Sequence, residues 1–364
     1  MTSDTPGGAR LPPLRLPRRA RRMVLGAYAL LVAAVLADVL SGPGSTVSPL
    51  LAAAPVIAGA TTRAARVPLL AGAVATAAVA VLAFTNRSIP ASVHITALIA
   101  VLAATLASTA NVVLVTARER ELLQVRTVSE AAQRALLRPP PQHLGRLRTA
   151  VRYAAAAAEA RIGGDLYVVA DTPHGVRLLL GDVQGHGLAA VETAADVLGA
   201  FREGASTEPA LDVLAGRLDA ALVRRPTDDR FVTAVLVGIP HTPGPVEFVN
   251  CGHPHPLLRR DGLVTEVEPP EHAPPLGLLG LFGSRYRLGR FDVRPGDLLL
   301  LYTDGVSEAR DTADRFYPLA QRLAAVADSD PDDVLDQLLL EVRAYVGTAG
   351  LQDDAAMLAV RWEH

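Results

Sequence analysis

The sequence predicts an α+β domain built on antiparallel sheets, preceded by an all-α membrane region of about four helices. Three observations carry this expectation. The composition is split, with long apolar stretches confined to the first third of the 364 residues. In the remainder, short apolar runs outnumber amphipathic ones, so strands outnumber helices. Those strands are joined by short turns such as Arg260-Asp261-Gly262, which suit antiparallel neighbours.

The first stretch, Met23 to Leu40, carries only Asp38 as a charge, and three more follow at Val47 to Ala60, Val67 to Phe84 and Ala91 to Thr116. A membrane span takes about 20 mostly apolar residues, so the second is short while the others suffice. Arg10, Arg15, Arg18, Arg19, Arg21 and Arg22 precede the first stretch, and Arg63 and Arg66 follow the second. The loop at Ser41 to Thr46 has no basic residue and the one near Asn86 only Arg87. Basic residues stay on the cytoplasmic side, so both termini are expected in the cytoplasm of a multi-pass plasma-membrane protein. The first stretch does not read as a cleaved signal peptide, because further apolar spans follow it.

Residues Arg118 to Leu137 form a helix candidate, with Leu122, Val125, Ser129, Ala132 and Leu136 at spacings of three and four. That stripe reads equally as a coiled-coil seam of a homodimer or as a buried face on its own domain. Pro139, Pro140 and Pro141 end it, because proline lacks an amide donor and disfavours helix in the residue before it. The expected organisation is therefore a basic N-terminus (1–22), a membrane region (23–117), a linker helix (118–138) and a second domain (139–364). In that domain, Val176 to Val183, Phe231 to Ile239, Val246 to Asn250, Asp297 to Thr303 and Ala355 to Trp362 read as strands. Leu188 to Glu203, Pro209 to Val223 and Pro331 to Tyr345 read as helices.

Four aspartates occupy sharp turns of this domain: Gly163-Gly164-Asp165, Gly181-Asp182-Val183, Thr303-Asp304-Gly305 and Asp353-Asp354. Converging carboxylates repel one another and stay ionised only with cations among them. Oxygen donors alone suit magnesium or manganese rather than zinc, and a pair of such ions can generate a hydroxide and clamp a phosphoryl group.

Asp182 opens Asp-Val-Gln-Gly-His-Gly-Leu-Ala-Ala, and Asp304 lies in Leu-Leu-Leu-Tyr-Thr-Asp-Gly-Val-Ser-Glu-Ala-Arg. With Asn250-Cys251-Gly252-His253-Pro254 and the terminal Asp353-Asp354-Ala355-Ala356-Met357-Leu358, residues from about 130 onward resemble the SpoIIE-like branch of the metal-dependent (PPM) serine/threonine phosphatases. The resemblance implies a sandwich of two antiparallel sheets flanked by helices, holding two Mn²⁺ or Mg²⁺ ions. It makes Asp182 the bridge between the ions, with the Val183 carbonyl completing one shell, and Asp304 and Asp353 ligands of the second ion. Asp165 matches a ligand of the other ion. Asp182 and Asp304 are the residues on which catalysis would chiefly depend. The substrate it implies is a phosphorylated anti-anti-sigma factor in a bacterial partner-switching pathway.

The chain departs from the family at Val168, where an aspartate is usual, and at Cys251, where alanine is usual. Animal-type members carry a histidine at the position of Gln184; His186 lies two residues further on and its role stays open. His253-Pro254 matches a structural turn, and Glu308 and Arg310 either order the Asp304 loop or form a solvated pair. For Asp182 the plain alternative is a cap on the following helix, and for Asp304 and Asp353 an ordinary turn. The lone cysteine precludes an intramolecular disulfide, as a reducing cytoplasm requires. The chain has no lysine and is rich in alanine and arginine, the usage of a high-GC bacterial genome. A net charge of −2, without a basic block beyond the membrane flank, excludes nucleic acid as a partner. The rival readings are a phosphatase-like membrane sensor without activity, and a small transporter, for which the spans offer only Asp38 and His94.

Overall fold

The computed structural model describes residues 46, 48–60, 62–155, 164–224, 230–327 and 330–363, with scattered positions between 25 and 40; at 121–130, 134 and 349 it describes the backbone alone. The basic segment 1–22, much of the first expected span and Gly163 lie outside the described residues. The chain divides into two compact units, Met1–Gln124 and Val125–His364.

In the first unit, a 3-10 turn (Ser48–Ala52) leads into α1 (Ala53–Gly59), followed by α2 (Arg66–Thr85) and the start of α3 (Ala91–Leu136), whose residues from Val125 onward belong to the second unit. The turn has five residues and α1 seven, which corrects the expectation of a span there: the pair cannot cross about 30 Å of hydrocarbon. Among the described residues, two helical stretches are long and apolar enough to do so, Arg66–Thr85 and Ala91–Arg120. Close approach depends on small residues: a Cβ at Gly72 would fall 2.1 Å from Thr105 Oγ1, and one at Gly59 2.0 Å from Ser108 Oγ. Ser108 Oγ in turn donates to the Pro55 carbonyl at 2.8 Å, satisfying a polar group inside an apolar bundle.

The fourth expected span and the linker helix are one continuous helix of 46 residues. Nothing between Thr116 and Glu121 breaks it, since Ala-Arg-Glu-Arg is a run of strong helix formers. Of the apolar stripe expected on its C-terminal part, the side chains of Leu122, Val125 and Ser129 lie outside those described, while Leu136 packs against the core of the second unit.

That second unit is a sandwich of two antiparallel sheets flanked by helices. One sheet has six strands in the order β1-β2-β11-β10-β7-β8: β1 (His143–Leu144), β2 (Leu147–Ala154), β7 (Leu257–Arg260), β8 (Leu263–Glu266), β10 (Leu298–Tyr302) and β11 (Ala355–Trp362). The other has five in the order β3-β4-β5-β6-β9: β3 (Leu166–Thr172), β4 (Gly175–Val183), β5 (Val232–Ile239), β6 (Val246–Cys251) and β9 (Gly289–Phe291). Leu299, Leu301, Leu358 and Val360 join the core that also holds Leu178, Val235 and Val249. From the same strands, Leu298, Leu300, Met357 and Ala359 pack on the opposite face against α8 (Leu319–Ala325) and α9 (Pro331–Val346). Helices α4 (Leu188–Thr207) and α5 (Leu211–Val223) bury Leu198, Phe201, Leu214 and Leu218 in the first cluster. Short helices α6 (Leu279–Phe282) and α7 (Asp304–Ser307) sit in the connections.

The expected turn at Arg260-Asp261-Gly262 joins β7 to β8, with φ of 50° at Asp261 and 78° at Gly262, the left-handed pair of a tight hairpin. Helix α9 begins at Pro331 behind Asp330, whose side chain accepts from the Asp332 amide at 3.0 Å. Arg152 on β2 then clamps the helix to the sheet through Asp332 (3.0 Å) and Asp336 (2.6 Å).

Candidate active site

Strand ends bring the four aspartates together. Leu166 pairs with Gly181, so Asp165, just before β3, lies beside Asp182 near the end of β4. On the other sheet Tyr302 pairs with Met357, which sets Asp304, just after β10, beside Asp353, just before β11. Thr303 ties the sheets together. Its buried hydroxyl donates to Asp165 Oδ2 at 3.0 Å and accepts from the Ala356 amide at 2.9 Å.

Two backbone approaches require glycine. A Cβ on Gly164 would meet the Val183 carbonyl oxygen at 2.3 Å, and one on Gly305 the Asp354 carbonyl oxygen at 1.8 Å. Each close pass delivers one proposed ligand loop against another. Capping does not explain Asp182: helix α4 has Gly187 at its N-cap, with no side-chain cap bond. At Asp353, Oδ1 accepts from the Asp354 amide at 2.8 Å, an ordinary turn contact within the loop.

Electrostatics show that the carboxylates feel one another. Burial pushes the Asp165 carboxyl well above the usual range, and Asp182, Asp304 and Asp353 add to it against the Thr303 hydrogen bond. Burial, then the charges of Asp304 and Asp353, raise Asp182 to about 7. Asp304 is raised by burial, Asp353 and Glu308. Asp165, Asp182 and Asp304 so placed resist ionising together without positive charge between them. Among the described residues no three His, Cys, Asp or Glu side chains form a ready-made ion-holding group. The donor set nevertheless fits a hard cation: carboxylates and a backbone carbonyl, with no nitrogen or sulfur, around a buried Asp165 whose neutral threonine partner leaves its charge uncompensated.

A cleft of about 350 Å³ opens on this end, lined by Asp304, Gly305, Glu308, Arg310, Gln352 and Asp353 among others. Arg310 brings positive charge to it; its guanidinium pairs with Asp314 (2.9 Å) and lies 4.2 Å from the Phe316 ring centre.

The remaining sequence candidates resolve into supporting roles. His253 is buried, and burial lowers its pKa to about 3, so it stays neutral. Its Nδ1 lies 3.0 Å from Thr233 Oγ1, beside the carbonyl of Asp182, while Asn250 brackets the turn with reciprocal bonds to the His253 backbone. Cys251 is buried and its thiol pushed well up by burial, so it packs and does not react. His186 and Gln184 are exposed in the loop before α4. His255 stacks on His272 near Glu266. Val168 is buried in the apolar core and brings no charge to the site. Three polar residues at the site were not singled out by the sequence: Thr303, whose signal was a hydroxyl ending the run Leu298 to Tyr302, and Thr233 and Tyr153, for which the sequence holds no signal.

Residues 172–363, more than half of the chain, match the family model described as Stage II sporulation protein E (SpoIIE). Protein IcfG of Synechocystis sp. is 26% identical over 134 residues, which is 36% of this chain and 20% of that protein. The chain thus spans about a fifth of that relative's length. Among solved structures, the RsbU and RsbW domains of Rv1364c from Mycobacterium tuberculosis align with a TM-score of 0.50 at 26% identity, over 60% of each chain. The PP2C phosphatase domain and regulatory fragment of SpoIIE from Bacillus subtilis align with a TM-score of 0.51 at 20% identity, over 60% of this chain and 64% of that one.

Proposed function

Because the chain belongs to the SpoIIE family, a branch of the PPM-type phosphatases, we propose that it is a membrane-anchored phosphatase hydrolysing phosphoserine or phosphothreonine on a protein, with two Mn²⁺ or Mg²⁺ ions. The observation that carries this reading is the meeting of Asp165, Asp182, Asp304 and Asp353 at one end of the sandwich, where neighbouring negative charges push the carboxyls of Asp165, Asp182 and Asp304 above their usual range. Asp165, Asp182, the Val183 carbonyl, Asp304 and Asp353 are the donors that would hold the ions. Bound there, such ions supply an activated water and neutralise charge on the phosphoryl group. The chain's own part is to fix the donors: Thr303 holds Asp165, and His253 and Thr233 brace the strand that carries Asp182. The cleft beside Asp304 and Asp353 would seat the phosphorylated segment, with Arg310 offering charge to the phosphate.

The substrate we favour is a phosphorylated anti-anti-sigma-like protein. The relative that carries RsbU and RsbW domains supports a place in a partner-switching pathway. Full-length protein in detergent should release phosphate from seryl- or threonyl-phosphorylated protein of that class and leave tyrosyl-phosphorylated protein untouched. Equal release from all three would overturn the serine/threonine assignment.

Membrane anchorage is supported by outward-facing Leu70, Val81 and Phe84 on α2 and Ile95, Ile99 and Leu106 on α3. A topology reporter fused after Arg87, between the two long apolar helices, should report the outer side, and one after Arg63 or at the C-terminus the cytoplasm. A cytoplasmic reporter at Arg87 would contradict this arrangement.

A further inference from the structure

We propose that Tyr153 is a positioning residue for the Asp353-Asp354 loop, and that Gln133 on the last turn of α3 fixes Tyr153 in that role. The inference deepens the phosphatase reading, on which its relevance to catalysis rests. Three contacts form a chain. Gln133 Nε2 donates to the Tyr153 hydroxyl at 3.1 Å. That hydroxyl donates to Asp354 Oδ2. The Asp354 amide donates to Asp353 Oδ1 at 2.8 Å.

Each link is buried enough to matter. Gln133 is 8% exposed and Asp354 only 3%. A carboxylate at that depth depends on its donors, and removing one leaves the desolvation cost of the charge unmet. The backbone of Asp354 also has nowhere to go, because its carbonyl presses against Gly305 of the Asp304 turn. A shift at Asp354 therefore reaches both Asp353 and Asp304.

The α3 end is itself pinned. Arg202 Nη2 donates to the Leu136 carbonyl at 3.1 Å, Leu137 is part of the buried core, and Leu136 packs against it. Register holds the far end: Tyr153 on β2 sits opposite Ala356 on β11, two residues past Asp354. The end of α3 is thus a handle on the loop that carries a proposed metal ligand.

The test uses full-length protein in detergent and the variants Tyr153→Phe, Gln133→Leu and the double variant. Hydrogen exchange in metal-free protein reads the loop directly. Amides of residues 347–356 should exchange about tenfold faster in Tyr153→Phe, while those of 188–207 are unchanged. Gln133→Leu should accelerate the same segment and add nothing in the Tyr153→Phe background, because both act through one contact. In the phosphate-release assay, the manganese concentration for half-maximal rate should rise about tenfold with the KM for phosphoprotein unchanged, a split that general destabilisation would not produce. Unchanged exchange at 347–356 in Tyr153→Phe overturns the inference, and so do additive effects in the double variant. Should Tyr153→Phe fail to fold, Gln133→Leu alone decides by the same exchange readout. A wild type that releases no phosphate would sink the phosphatase reading and leave the exchange result to judge the loop.

Discussion

Asp182→Asn and Asp304→Asn should each lower phosphate release by about a hundredfold to a thousandfold while the fold is retained, since each removes a charge that fixes a cation at the reacting group. Stability should move the other way in metal-free protein. Asp182 is raised from 3.8 to about 7, so between those values the folded chain binds a proton that the unfolded chain has released. Stability contributed by the protonated form is therefore lost as pH rises through about 7. Asparagine has no such charge to lose. Melting of metal-free protein near pH 8 should accordingly show Asp182→Asn at least as stable as wild type, with added manganese stabilising wild type far more than the variant. A folded Asp304→Asn protein turning over at the wild-type rate would remove the site from the mechanism.

Gly305→Ala should damage both fold and rate. Its Cβ would lie 1.8 Å from the Asp354 carbonyl oxygen and 2.7 Å from the carbonyl carbon. Both are backbone atoms of the residue just before a buried strand, so no side chain can swing aside. Overpacking of this kind costs about 1–3 kcal/mol. Relief requires the Asp304 turn and the Asp354 backbone to separate, and a displacement on the order of 1 Å at reacting groups costs about a hundredfold in rate. Thermal melting and the turnover rate check the two halves separately. Wild-type values for both would mean that the turn yields at no cost.

The elements legible in the sequence are those buried on both faces. Strand β10 shows as an unbroken apolar run because Leu299 and Leu301 face the opposite sheet while Leu298 and Leu300 face α8 and α9, and β4, β5 and β11 are apolar over most of their length. β2 was hidden by Arg148 and Arg152, whose charges look out of place until Asp330, Asp332 and Asp336 arrive from the other end of the domain. β9, with three residues, is too short to leave a pattern. At the site, glycine-marked turns exposed Asp165, Asp182 and Asp304, because close backbone passes leave a mark in sequence. Tyr153 left none: its hydroxyl finds Asp354 only through the pairing of β2 with β11. In the first unit, hydropathy located α2 and α3, but could not show that the α3 span continues unbroken to Leu136.

The central claim is that these aspartates form one oxygen-lined metal centre that performs phosphate release. Bound manganese and released phosphate, measured on the same sample of full-length protein before and after chelation, test it most directly. The account predicts two ions per chain with activity, loss of both on chelation, and recovery of both when manganese or magnesium is restored. Undiminished release from chelated protein carrying no metal would contradict it.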